Sequence, residues 1–200
     1  MKNIYTIILL LSFSSLSFGQ LLPGTLDVSG FPNIVESIND LVMEAGEDAN
    51  TVGFESNIDA SLISFTLDPT VAPILGIPLT SSALNCSLNI FRYSVYMHTQ
   101  NAPQNVEIQA KTTMNSGVRF PVNILYDNLL VRPLGPRDLT PENGGGYITI
   151  PNNGNAAIKV FEFVGCRQDI PIQFKVKASA LAISGASNFD IFYTVIGSIL

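Results

Sequence analysis

The sequence predicts an all-β protein because alternating strands, turn-rich separators and a lack of long helical patterns occur together. Apolar and polar residues alternate with a period of two through most of the second half of the chain. Stretches rich in Gly, Pro, Asn and Asp, such as Asn143 to Gly146, separate these runs. Short strands spaced in this way are typical of two packed antiparallel sheets. We therefore predict an immunoglobulin-like antiparallel β-sandwich.

The first nineteen residues have the order of a secretory signal peptide. Lys2 is followed by an apolar run over residues 4–11 and then by small residues ending at Ser17-Phe18-Gly19. The apolar run is too short to span a bilayer comfortably. We predict a signal peptide at 1–19, no transmembrane segment after its cleavage, and a mature chain in the periplasm, at the cell surface or secreted. Residues 20–200 then form a single β-sandwich domain, since that length suits one core.

An alternating segment follows the predicted cleavage point directly. Its two faces are Leu22, Gly24, Leu26, Val28 and Gly30 against Pro23, Thr25, Asp27, Ser29 and Phe31. Residues 20–31 are therefore a candidate free N-terminal strand that adds to a neighbouring subunit, with Leu22, Leu26 and Val28 as the subunit contacts. An ordinary first strand of the same sandwich, or a frayed terminus, also explains the pattern.

The segment at 34–45 fits two structures. Ile34, Ile38, Leu41, Val42 and Ala45 form a helical stripe. Ile38 to Val42 also fits a short strand that leads into a turn at 46–48. The periodicity leaves helix and strand both open here.

The later strands are predicted from strict alternation. The residues expected to share the inward face of each strand are Tyr93, Val95 and Met97; Val106, Ile108 and Ala110; Val118, Phe120, Val122, Ile124 and Tyr126; Ile170, Ile172, Phe174, Val176, Ala178 and Ala180; and Phe189, Ile191, Tyr193 and Val195. Lys159 to Val164 breaks the alternation, because Phe161, Phe163 and Val164 cannot share one face. A β-bulge would explain the break.

The charge distribution excludes two classes of partner. The chain is 13% charged with a net charge of −6, and no Lys or Arg occurs between Asn3 and Phe91 although nine acidic residues do. Without clustered Lys and Arg, binding to nucleic acid or to anionic lipid is not expected. The acidic third indicates a solvated face, a Ca²⁺ site or a charge-complementary contact between subunits, and the sequence leaves these open.

The two cysteines predict one disulfide. Cys86 and Cys166 are the whole cysteine complement, and an even count in an exported chain favours pairing. Closing a loop of this length stabilises the fold by roughly 4–5 kcal/mol in the chain-entropy model. Two buried free thiols are the alternative. Cys86 also lies inside Asn85-Cys86-Ser87, a match to the N-glycosylation acceptor that a disulfide at its centre weakens.

The sequence contains no recognisable catalytic motif. His98, the only histidine, lies on the polar face of its predicted strand with no nucleophile motif beside it. Gly144 to Gly146 precede a strand rather than a helix, which favours a hairpin over a phosphate loop. A zinc site needs more His and Cys than the chain offers. We therefore predict no enzyme, no catalytic residues, no metal and no cofactor.

Two C-terminal motifs carry a resemblance to known proteins. Cys166-Arg167-Gln168-Asp169-Ile170-Pro171-Ile172-Gln173-Phe174-Lys175-Val176, followed by Phe189-Asp190-Ile191-Phe192-Tyr193-Thr194-Val195, resembles the closing strands of small exported bacterial β-sandwich proteins of the fimbrial (pilin-like) and spore-coat-U-like kind. Residues 41–48 resemble the first strand and turn of that group, which favours a strand there. Ile199 and Ser187 stand where chaperone-assembled pilins typically carry Tyr and Gly, so assembly by a pilus chaperone is not implied.

The sequence thus predicts a secreted or cell-surface, non-catalytic protein with a structural or adhesive role. A fimbrial subunit that associates with itself or with other surface subunits is the most specific form of this prediction. The first alternative is an extracellular module that binds a glycan or small ligand in loops such as Pro136 to Gly146, in a cleft lined by Arg137, Glu142 and Tyr147. The second is a hydrolase that uses acidic residues of the N-terminal third.

Overall fold

The structure is a computed structural model that describes residues 26–29, 54–56, 62–67, 81–89, 91–114, 116–133, 135–179, 181–183 and 187–198, with 26–29 and 54 described by their backbone alone. The predicted signal peptide, Leu22 and the segment at 34–45 lie outside these residues. The part that is described consists mainly of strands.

Twelve strands and one short helix are present in the described residues. The strands are β1 (Leu26–Ser29), β2 (Phe54–Glu55), β3 (Leu62–Leu67), β4 (Arg92–Gln100), β5 (Val106–Lys111), β6 (Val118–Phe120), β7 (Thr140–Pro141), β8 (Ile148–Thr149), β9 (Ile158–Val164), β10 (Cys166–Pro171), β11 (Gln173–Ala178) and β12 (Asp190–Ser198). Helix α1 is Ser82–Ser87, and 3-10 turns occur at Leu125–Asn128, Glu142–Gly145 and Gly154–Ala156. No helix in the described residues is long and apolar enough to cross a membrane.

The strands form antiparallel sheets that pack face to face. The sheet orders are β1-β3-β10-β6, β2-β11-β5-β8 and β12-β4-β9-β7. The chain passes directly from the first sheet to the second, because Ile172 is the single residue between β10 and β11. Phe65 of β3 contacts Phe161 and Phe163 of β9, with ring centroids 6.2 and 5.2 Å apart. The predicted all-β, sandwich-like fold is therefore confirmed, while its immunoglobulin-like character stays a prediction.

The predicted alternation places the core correctly in the long strands. Strand β4 buries Tyr93, Val95 and Met97, and the run over β10 and β11 buries Ile170, Ile172, Phe174 and Ala178. Val176 is only half-buried. Because successive side chains of a strand point to opposite faces, the residues between these buried ones lie on the other face of each sheet.

The break in alternation before Val164 coincides with a register shift in the sheet. Val95 lies opposite Phe161 whereas Tyr96 lies opposite Lys159, so one residue of β9 is extra at this point. As a result β9 buries Val160 beside Phe161, and Phe163 beside Val164. An inserted residue of this kind is a β-bulge.

The prediction of one continuous strand from Val118 to Tyr126 is wrong. Strand β6 ends at Phe120, and a cis peptide bond joins Phe120 to Pro121. Pro121 has no N–H to donate to a neighbouring strand, which ends the ladder. Ile124 and Tyr126 are buried as the pattern indicates, but they pack with Val164 from a loop and a 3-10 turn.

Helix α1 was not predicted, and it carries one end of the disulfide. The Ser81 hydroxyl caps it by accepting the Leu84 N–H at 3.2 Å. The sulfur atoms of Cys86 and Cys166 are 2.07 Å apart, with their Cα atoms at 5.5 Å, which agrees with the predicted pairing. Asn85 is fully buried in the same helix, so the match to a glycosylation acceptor lies inside the fold.

Candidate interaction surface

The loop after β6 exposes an unusual number of aliphatic side chains. We call residues 121–133 the apolar loop. Leu130 is fully exposed and Leu125 is 85% exposed; the other large exposed side chains are those of Val122, Leu129 and Val131. Single exposed hydrophobic residues are ordinary on protein surfaces. Five within ten consecutive residues concentrate exposed apolar side chains in one loop, and contiguous apolar patches of large area mark contacts with other molecules.

Backbone and side-chain hydrogen bonds fix the shape of the apolar loop. The Asp127 N–H donates to Ile124 O at 3.1 Å and the Leu129 N–H donates to Tyr126 O at 3.2 Å, which closes the 3-10 turn. The Tyr126 hydroxyl donates to the carbonyl of Gly135 at 3.0 Å. Ile124 and Tyr126 are buried, whereas Leu125 between them is exposed.

A carboxylate between two arginines joins the apolar loop to the sandwich. Arg137 Nη1 lies 2.9 Å from Asp127 Oδ2, and Arg119 Nη1 lies 3.5 Å from Asp127 Oδ1. The Arg137 side chain is 0% exposed and also donates from Nη2 to Pro121 O at 3.3 Å. Burial lowers the pKa of Arg137, and the charge of Asp127 opposes that shift.

Gly165 provides the space that Arg137 occupies. A Cβ atom at position 165 would lie 3.2 Å from Arg137 Nε and 3.1 Å from Asn89 O. Gly165 also has a φ of +80°, a backbone conformation that favours glycine. Two independent constraints therefore keep a side chain away from the buried guanidinium.

A third arginine lies near Arg119 and Arg137. Arg167 is directly opposite Arg119 in the β10–β6 pair and is only 2% exposed. Its guanidinium donates to the carbonyls of Ser116 and Gly117, and burial lowers the pKa of Arg167 to about 10. The charges of Arg119 and Arg137 also lower the pKa of Arg167 while that of Asp138 opposes the shift, so the three guanidinium groups lie near one another.

The N-terminal residues predicted as subunit contacts lie partly in a strand of the same chain. Strand β1 pairs with β3, with Leu26 opposite Leu67 and Val28 opposite Phe65. This pairing within one chain corresponds to the alternative of an ordinary first strand. Leu22 lies outside the described residues, and exchange of the segment between copies stays a prediction.

The three residues predicted to line a ligand cleft have separate partners. Arg137 binds Asp127, Glu142 binds Lys159 at 2.7 Å, and Tyr147 has Lys111 Nζ 4.3 Å from its ring centroid. The contacts described for these three residues have no partner in common. These contacts therefore do not join the three residues, and the ligand cleft stays a prediction.

In the part of the chain that the structure describes, Lys159 lies between two carboxylates. Lys159 Nζ is 2.7 Å from Glu142 Oε1 and 2.7 Å from Glu162 Oε2, and Glu162 also binds Arg92 at 2.6 Å. Burial raises the pKa of Glu162, but Lys159 and Arg92 outweigh it and leave the pKa below its ordinary value. A general acid for glycoside hydrolysis needs the opposite shift, so this pair has the character of a surface ion-pair network.

His98 lies on the outer face of β4, as its position in the alternation predicts. It is half-buried, and its ring stacks on Phe192 with centroids 4.9 Å apart. Among the described residues, no group of three or more His, Cys, Asp or Glu side chains could hold a metal ion.

Sequence reasoning missed the apolar loop as a surface. The consecutive aliphatic residues Leu129, Leu130 and Val131, followed by Arg132 and Pro133, were a usable signal, since a core strand does not normally end in such a run next to proline. The buried Arg137 left no comparable local signal.

Comparison with known proteins finds no matching family model, no matching curated protein and no matching solved structure. The resemblance to fimbrial and spore-coat-U-like proteins thus rests on the strand motifs alone and stays a prediction.

Proposed function

We propose that this chain is a secreted or cell-surface, non-catalytic protein with a structural or adhesive role, acting as a self-associating, fimbria-like subunit. The observation that carries the proposal is the position of β1. Within the described strands, β1 lies at the edge of its sheet and pairs with β3 alone. An edge strand presents unpaired backbone groups to other chains, and exchange of an identical element between copies is a low-cost route to association.

Exchange of β1 preserves the hydrogen bonds of the sheet. The four register pairs run from Leu26–Leu67 to Ser29–Ser64. If β1 of one copy lies on β3 of the next, the same pairs form between chains instead of within one. Because donor and acceptor surfaces differ, repeated exchange links copies head to tail, and this gives an open chain when the rotation between copies does not close into a ring.

The disulfide supports the proposed location. The Cys86 and Cys166 sulfurs lie at bonding distance, and structural disulfides persist in oxidising compartments such as the periplasm and the cell exterior. The pair is consistent with export after cleavage of the predicted signal peptide.

Cross-linking between copies tests the exchange directly. Asp27 lies opposite Thr66 in the β1–β3 register, so Asp27→Cys and Thr66→Cys are made as two separate variants and mixed. We expect a covalent dimer on a non-reducing gel that dissociates on reduction. The matched control mixes Asp27→Cys with Gln109→Cys, a residue of β5 that does not pair with β1.

A second measurement removes the strand altogether. The molar mass of residues 20–200 is compared with that of residues 32–200 by size exclusion with light scattering. We expect oligomers from the longer chain and monomers from the shorter. Two monomeric samples, together with a mixture that yields no covalent dimer, would contradict the proposal.

A further inference from the structure

We propose that strand β12 is a second subunit contact, in which two copies pair their β12 edges in antiparallel fashion around a two-fold axis at Thr194. The pairing joins the β12-β4-β9-β7 sheets of the two copies into one continuous sheet. The inference goes beyond the proposed strand exchange and does not depend on it, because β1 lies in a different sheet.

Strand β12 is the longest edge in the part of the chain that the structure describes. It has nine residues and, among the described strands, pairs with β4 alone. The other five edge strands of the three described sheets have two to four residues. A chain that adds a strand to a sheet gains affinity from main-chain hydrogen bonds. β12 therefore offers the longest row of backbone groups for such an addition.

The residues of β12 do not block pairing. Natural proteins protect exposed edges with Lys, Pro or a β-bulge. β12 reads Asp-Ile-Phe-Tyr-Thr-Val-Ile-Gly-Ser, and its single charged residue is Asp190 at the first position. Its register with β4 runs through nine consecutive pairs without a shift. The edge is thus regular and nearly uncharged along its whole length.

The sandwich core extends to this edge. Ile191, Tyr193 and Val195 pack against the core but are only partly buried. On the other face of the strand, Phe192 and Ile196 are 40% and 41% exposed. A strand added beside β12 covers apolar side chains on both faces, and the removal of apolar area from water stabilises the contact.

The residues of β12 are complementary to a second β12. Antiparallel pairing centred on Thr194 uses all nine residues of each copy. It places Phe192 of one copy opposite Ile196 of the other, and an aromatic residue opposite a β-branched one is a favourable cross-strand pair. Asp190 then lies opposite Ser198, so like charges do not meet. A register centred one residue to either side pairs only seven residues of each copy and separates Phe192 from Ile196.

The contact surface is ordered before two copies meet. The ring of Phe192 stacks on that of His98 in β4, with centroids 4.9 Å apart and ring planes 8° apart. The backbone of β12 is held by its register with β4 along its whole length. Pairing therefore loses little conformational entropy, which favours association.

The two proposed contacts differ in symmetry. Pairing of β12 with β12 uses the same surface on both copies, so it closes on itself as a dimer, whereas strand exchange runs head to tail. Exchange thus builds chains and β12 pairing joins two chains side by side, where many weak pairings reinforce one another. A single pairing is weak, so we expect it to dissociate when a size-exclusion column dilutes the sample.

Charge substitutions at Thr194 test the two-fold axis in the chain of residues 20–200. Thr194→Lys brings two lysines opposite each other, and Thr194→Glu brings two carboxylates opposite each other. Since like charges directly opposite in a sheet are destabilising, sedimentation over a range of concentrations should show about fivefold weaker association for each variant alone. An equimolar mixture of the two variants should associate as the unchanged chain does, which also shows that both variants are folded.

The matched control carries the same substitutions at Thr140. This threonine is also exposed, but it lies in β7 at the opposite edge of the same sheet. We expect Thr140→Lys and Thr140→Glu to associate as the unchanged chain does, alone and mixed.

A cross-link provides a measurement of geometry that is independent of charge. Opposite residues of antiparallel strands have Cα atoms about 4.5–5.5 Å apart, which lies within the range of about 4.4–6.8 Å that a disulfide spans. Thr194→Cys alone should therefore form a covalent dimer on a non-reducing gel. Thr140→Cys should remain monomeric on the same gel.

The outcomes separate this inference from the proposed function. A lysine and glutamate mixture that associates no better than either variant alone, or equal cross-linking at 194 and 140, overturns the β12 contact. If the Thr194 variants change nothing while mixed Asp27→Cys and Thr66→Cys copies cross-link, the β12 contact is refuted and strand exchange stands. The reverse result supports β12 pairing and refutes exchange. An edge covered by another part of the same chain gives no cross-link at 194 and also refutes the contact.

Discussion

The sandwich core and the apolar loop arrange polar and apolar side chains in opposite ways. Between the sheets, Phe65, Phe161 and Phe163 pack ring against ring and are almost completely buried. In the apolar loop, the guanidinium of Arg137 is buried while Leu130 is fully exposed. The two regions adjoin, since the loop leaves the sheet directly after β6.

The sandwich core and the apolar loop are therefore stabilised by different interactions. Burying a large apolar side chain contributes about 1.5–3 kcal/mol to folding, and the core residues receive that contribution in full. In the apolar loop, Leu125 and Leu130 receive little or none of it, and Leu129 receives only part of it. The loop is held by the burial of Ile124 and Tyr126 against Val164, by its hydrogen bonds and by the Asp127 ion pairs.

The largest expected effect comes from a cavity in the core. Phe65→Ala should lower the free energy of unfolding by roughly 3–5 kcal/mol, because the transfer free energy of the ring is lost and a void remains against Phe161 and Phe163. Urea denaturation followed by circular dichroism measures the change. Phe65→Leu, which retains most of the volume, should lose clearly less. Equal and small losses in both variants would mean that the two sheets do not pack through this residue.

The alternation of apolar and polar residues predicted the sandwich core well, because the burial of one face of each strand is enough to determine that pattern. A strand with one buried face must place apolar residues at every second position, which Tyr93, Val95 and Met97 do. Ile170, Ile172 and Phe174 follow the same rule across the β10–β11 junction. Between Val118 and Tyr126 the same alternation gave a wrong prediction, since Pro121 ends the strand. Ile124 and Tyr126 are buried because they pack against Val164 from the loop and the 3-10 turn.

The buried ion pair could not be predicted, because its parts are distant in sequence. Arg137 stands in a turn-like segment beside Pro136 and Asp138, where a surface position is the ordinary expectation. Its burial requires Asp127 ten residues earlier and the space left by Gly165 much later in the chain. Pairing of this kind depends on the tertiary fold and leaves no periodic signal.

Removing the buried arginine tests how the apolar loop is held. Arg137→Met should cost about 2–3 kcal/mol, less than the 3–5 kcal/mol typical of a broken buried pair, because Asp127 keeps Arg119 and is partly exposed. Arg119→Met is the matched control and should cost less than about 1 kcal/mol, since the Arg119 side chain is partly exposed to solvent. Urea denaturation gives both values. If the two variants lose the same free energy, Arg137 is not the main support of the loop.

The smallest expected effect is the sharpest test of the contrast. Leu130→Ser should change the free energy of unfolding of the monomer by less than about 0.5 kcal/mol, because a side chain that is already in water loses no burial when it is shortened. Thermal unfolding at a concentration well below any association measures this, with Phe65→Ala in parallel as the reference for a buried residue. A loss above about 1 kcal/mol would show that Leu130 packs within its own chain. A neutral result would separate the two regions by role: Phe65 stabilises the monomer, whereas Leu130 contributes nothing to its folding.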